Sequence, residues 1–116
     1  MNVELERYIH MYRENAILHG EASQNGDYKS ANKSHDIIIK TLYKIRELDD
    51  VGNDALLTLT DDKDASVRVW AATHSLEYDT IKAEKTLSQL ASCEGIIALG
   101  AEITLSEWKA GTLELP

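Results

Sequence analysis

The sequence predicts an all-α protein: an alpha-alpha superhelix of two stacked helical hairpins, the second HEAT-like, closed by a short C-terminal cap. Three observations lead there. Proline appears once, at Pro116, and glycine only six times in 116 residues, so few positions interrupt a helix. Alanine, leucine, glutamate and lysine, all good helix formers, recur throughout. Apolar residues return at intervals of three and four, the period that gathers them on one helical face. A chain of this length is expected to be one domain, residues 1–116, able to bury roughly two thirds of its unfolded surface.

The first helix is expected from about Val3 to His19. Leu5, Tyr8, Ile9, Tyr12 and Ala16 share a face, and Gly20 supplies a stop. Asp27 is a good N-cap for a second helix running to about Leu48, with Tyr28, Ala31, Ile38, Ile39, Leu42 and Ile45 on one side. The short polar link between them makes the pair antiparallel. A third, short helix is expected over about Asn53 to Leu59. Asp64 is placed to cap the next helix, in which small Ala71 and Ala72 let a partner come close and Arg68 pairs with Asp62 or Asp64. Asp79 caps a fifth helix, Thr80 to Ser92, which Gly95 ends. Ile96 to Leu99 fits a strand or a buried turn. Thr104 to Glu107 has the form of a capping box, starting a last turn or two that stops at Gly111.

Two stretches resemble known repeats. Ala22 to Ala31 resembles the inter-helix turn of a tetratricopeptide hairpin, although no 34-residue repeat follows. Leu59 to Leu76, L-T-D-D-K-D-A-S-V-R-V-W-A-A-T-H-S-L, resembles a HEAT unit, and a single such unit needs a neighbour to bury its face. Over most of its length the chain resembles a bacterial family known as domain of unknown function 2019. The residues concerned are Tyr12 to Ile17, His19 to Ala22, Gly26 to Tyr28, Ala31 to Lys33, Val67 to Ala72 and Thr104 to Gly111. That resemblance implies an alpha-alpha superhelix and no particular activity.

The formal net charge is −8, which repels nucleic acid and anionic membranes and suits a basic partner. The lone Cys93 fits a reducing compartment. The opening M-N-V-E-L-E-R-Y-I-H lacks the basic-then-apolar form of a signal peptide, and no apolar run approaches a bilayer's width. A cytoplasmic location is expected.

Four polar residues stand on or beside the apolar stripes of the first hairpin: Asn15, His19, Asn32 and His35. Buried groups of this kind need partners. Helical geometry brings His19 towards Tyr28 and Asn32, and His35 towards Tyr8 and Tyr12. They form either an internal network, with Asn32 and His35 mostly buried, or a ligand cleft. His19, His35 and Asp36 are the best candidates for metal ligands, but there is no His pair at helical spacing, so no metal or other cofactor is expected. Cys93 has no base beside it, and serine-hydrolase and phosphate-loop motifs are absent; catalysis is not expected. Trp70 and His74, four apart, make an aromatic contact patch if open to water, and a small second core if the segment of Trp108 folds over them. Asp49, Asp50 and Asp54 head an acidic run, continued by Asp61, Asp62 and Asp64, that serves either as a solvated capping edge or to steer a basic protein. The reading that results is a non-catalytic binding module, in its concrete form an immunity or antitoxin-like protein that masks a basic toxin domain. The alternatives are a small-ligand binder or enzyme built on the hairpin residues, and a structural subunit that forms a homodimer.

Overall fold

Helix starts organise the structure. In the computed structural model, which describes residues 2–116, four helices begin at a side chain that accepts from the backbone N–H three residues on. Asn2 does so for α1 (Val3–Gln24), to Leu5 at 3.0 Å, and Asp27 for α2 (Tyr28–Arg46), to Ser30 at 3.1 Å. After α3 (Asp49–Thr58) and a 3-10 turn at Leu59–Asp61, Asp64 caps α4 (Ala65–Ser75) and Asp79 caps α5 (Thr80–Ala91), each at 3.1 Å. The last helix, α6 (Ile96–Ala110), starts at Gly95 without a side-chain cap. No strand occurs among the described residues. The fold is all-α.

The chain divides into two compact units, Met1–Thr58 and Leu59–Pro116. In the first, α1 lays Leu5, Tyr12, Ala16 and Ala22 against Ala31, Ile38, Leu42 and Ile45 of α2, with Ser34 and Thr41 also buried on that helix. Leu56 of α3 adds to this core. The turn into α3 is tight. Asp49 adopts φ 51°, a left-handed conformation that Asp tolerates better than most residues. Three residues on, Gly52 lies so close to α2 that a Cβ there would overlap the Ile45 carbonyl.

In the second unit, α4, α5 and α6 enclose Ala72, Leu76, Ala83, Leu87, Leu90, Ala101 and Leu105, and Trp108, Leu113 and Leu115 pack on the edge of that cluster. Trp108 Nε1 donates to a Glu84 carboxylate oxygen at 3.1 Å. Arg68 Nη1 donates to the Asp62 carbonyl at 3.1 Å, tying α4 to the preceding loop. The HEAT-like pattern sets Arg68 against the carboxylate of Asp62 or Asp64; the bond that forms goes to the backbone carbonyl of Asp62. The half-exposed Lys82 meets the exposed Asp61 at 2.9 Å, a surface pair of small energetic weight.

Several boundaries differ from the sequence expectation. Helix α1 runs through Gly20 to Gln24, and its stop is Gly26, at φ 70°. A single internal glycine costs a helix only about 1 kcal/mol, and the contacts of Ala22 outweigh it. Helix α2 ends at Arg46, two residues short of Leu48, and α3 starts at Asp49 rather than Asn53. The largest change lies at the C-terminus. Ile96 to Leu99 is neither strand nor turn but the first turn of α6, so Thr104 to Glu107 falls inside a helix instead of starting one. Gly95, at φ 103°, makes the break that lets a new helix begin at once.

Two outcomes follow for denaturation in urea. Gly52→Ala is expected to lower stability by about 1–3 kcal/mol, because α3 must move off α2. Gly100→Ala, where a Cβ meets nothing within 4 Å, is expected to be neutral or to stabilise by up to about 1 kcal/mol. Similar losses at both positions would remove the close approach as the reason. Arg68→Met is expected to cost about 1 kcal/mol more than the surface change Lys63→Met; equal midpoints would show that the Asp62 carbonyl gains nothing from it.

Candidate functional site

Of the four polar residues singled out on the first hairpin, Asn15 lines an open groove with Asp27, Ser30, Lys33 and Ser34, a groove that does not include His19, Asn32 or His35. Asn15 is half-buried and satisfies itself on its own helix, Nδ2 donating to the Met11 carbonyl at 2.9 Å. His19 is half-buried, with Nδ1 3.5 Å from the Ser23 hydroxyl. Asn32 and His35, expected to be mostly buried, are exposed, and the half-open His35 ring lies 3.6 Å from the Asp36 carboxylate. The cause is a rotation of α2. Its buried positions, Ala31, Ser34, Ile38, Thr41, Leu42 and Ile45, centre roughly 50° away from the stripe read from the apolar residues alone. Tyr28 is carried out to 79% exposure by the same rotation. The seam turns towards Ser34 and Thr41 because small hydroxyl side chains admit close packing. Thr41 Oγ1 donates to the Ile37 carbonyl at 2.7 Å, so its burial leaves no unmet donor.

His19 and His35 still sense each other. The His19 imidazole is held below its ordinary range, first by burial and second by the neighbouring His35. Tyr12, fully buried, has its phenol pushed well above the usual range by loss of solvent, an effect that Arg46 partly opposes. Among the described residues, no group of three or more His, Cys, Asp or Glu side chains is placed to hold a metal ion.

The second expected patch changes character. His74 is buried, at 5% exposure, and Trp70 is half-buried beside it, with ring centroids 5.5 Å apart. The pair is therefore not the open aromatic patch that the sequence allows. Helix α4 buries Ser66, Val67, Ala71, Ala72 and Ser75 as well, so it has too little free circumference to present both rings. Trp108 packs on the α4–α5–α6 cluster. Cys93 is exposed, with its thiol 3.6 Å from the Gln89 carbonyl.

The acidic residues stand where a partner could reach them. Asp49, Asp50 and Asp54 are all exposed on α3, and Val51 among them is 60% exposed. A second open surface was missed at the sequence level. Ile96, Leu99 and Ile103 on α6 keep 58, 57 and 49% of their surface exposed. Their three- and four-residue spacing is a helical stripe, legible only once the segment is known to be helix.

Fold and surface together define an all-α protein of small helical units with open acidic and apolar faces. Its structure is similar to the crystal structure of protein RPA1889 from Rhodopseudomonas palustris CGA009, with a TM-score of 0.88 at 18% identity over 97% of this chain and 93% of that one. At that identity the likeness concerns the fold. No family model matches the sequence, and no curated protein matches it.

A titration follows from the His19 environment. Its folded-state pKa is depressed, so below about pH 6.5 the unfolded chain gains a proton that the folded chain resists, and stability falls as pH drops from there towards the folded value. Proton NMR is expected to place the His19 midpoint below that of a denatured control. His35→Gln should raise it only part of the way, since burial is the larger cause. A midpoint at the ordinary value in the native protein would refute this.

Proposed function

We propose that the protein is a non-catalytic helical binding module that acts in the cytoplasm and engages a basic protein partner through the exposed face of α3. Its concrete form is an immunity or antitoxin-like protein that masks a basic toxin domain. The supporting observation is the joint exposure of Asp49, Asp50 and Asp54 with Val51 on one short helix. Between Arg46 and Lys63 the chain carries no basic residue, so the formal charge of that segment is of one sign. A charged face of one sign raises the rate of encounter with a partner of the other, and a central apolar contact such as Val51 slows dissociation. The exposure of Asn32 and His35 speaks against a closed small-ligand cleft built on them.

The test uses the full chain, immobilised, with extract from its native cells, beside a variant carrying Asp49→Asn, Asp50→Asn and Asp54→Asn. Asparagine keeps the shape and tolerates the left-handed backbone at Asp49. A basic protein retained by the parent chain and lost on the variant is expected. Its association rate should be roughly tenfold slower with the variant at low salt, and the difference should close as salt rises. A retained protein that is acidic, or that binds both chains alike, would end the proposal.

A further inference from the structure

The open stripe of α6 has a pattern that matches itself when reversed. Along the exposed face the order is Ile96, Leu99, Gly100, Ile103. We infer that two copies of the chain associate through this face, with their α6 helices antiparallel about a two-fold axis that passes between Leu99 and Gly100. That register sets Ile96 against the partner's Ile103, and Leu99 against the partner's Gly100, each twice. Large meets small at the centre. A Cβ added at Gly100 would meet no atom within 4 Å, so the hole that receives Leu99 is open. A two-fold contact must be self-complementary in this way.

Charge supports the same arrangement. The next residue on the stripe is Glu107, which is exposed. Helical side chains lean towards their own N-terminus. In the antiparallel register, Glu107 therefore leans to the level of the partner's Gly95 and Ile96, where α6 begins without a side-chain cap. A carboxylate there meets unpaired N–H groups and the positive end of the helix dipole. A parallel pairing would instead set the two Glu107 side chains level with each other.

Area sets the class of contact. The three large side chains leave on the order of 300 Å² of apolar surface open, near the largest patch that a monomer usually carries. A standard interface takes about 800 Å² from each partner. An interface of this size falls in the weak, transient class. Because each copy carries a net charge of −8, added salt screens their repulsion and tightens it.

Sedimentation velocity on the full chain, from about 10 µM to about 1 mM, is expected to show a monomer–dimer equilibrium that strengthens with salt. Leu99→Glu should weaken it at least tenfold. Gly100→Leu fills the hole with a better helix former, so the chain should stay folded by circular dichroism while dimerisation falls at least tenfold. Register is read by oxidation in a Cys93→Ser background: an equal mixture of Ile96→Cys and Ile103→Cys chains should give the mixed disulfide well above the half share that random pairing alone produces. A chain monomeric at about 1 mM, a dimer indifferent to Gly100→Leu, or a mixed disulfide at or below that half share would each overturn the inference.

Discussion

How closely two helices can approach is the constraint on which this structure rests, and alanine and glycine set it. The chain has no phenylalanine, so bulk in the core comes from a few residues such as Tyr12, Ile38, Leu42, Leu76 and Leu87, all fully buried. Around them stand Ala16, Ala31, Ala71, Ala72, Ala83 and Ala101. Small side chains bring backbones together, and each leucine then touches more of its neighbours. Gly52 is the extreme case, where α3 leaves no room for a single methyl group beside the Ile45 carbonyl.

Close approach also settles the fate of buried polar groups. Where helices nearly touch, there is little space for a network of side chains between them. The hydroxyl of buried Thr41 turns back to the carbonyl four residues earlier, at 2.7 Å, as do those of half-buried Thr73 and exposed Thr80, at 2.7 and 2.6 Å. Asn15 does the same with Met11. Ser75 stands apart as a buried hydroxyl with no partner among the described residues. Polar residues in these helices therefore serve packing first, and the open surfaces lie on outward faces: acidic on α3, apolar on α6.

Much of this was legible in the sequence where a residue's role is local. Asp27, Asp64 and Asp79 cap the helices that follow them, as their positions imply, and Gly111 ends the last one in a left-handed conformation. Roles that depend on a neighbour were harder to read. The largest apolar residues of α2 point inward with Asn32 and His35 beside them, whereas the buried face is centred towards Ser34 and Thr41, which leaves Asn32 and His35 outside. His74 looked open because the sequence does not say that α4 is covered on more than one side. The run Ile96 to Leu99 is too short for its period to show, and with it went the exposed stripe of α6.

The placement of the aromatic residues also makes the chain its own instrument. Both tryptophans, Trp70 and Trp108, fall in the unit from Leu59 to Pro116, while Tyr8, Tyr12, Tyr28 and Tyr43 fall in the other. Tryptophan emission thus reports on one half of the protein, and circular dichroism, which counts helices in both, reports on the whole. Melting curves from the two signals need coincide only if the halves unfold as a single cooperative block. Any gap between them measures how independent the two halves are, with no label added and no residue changed.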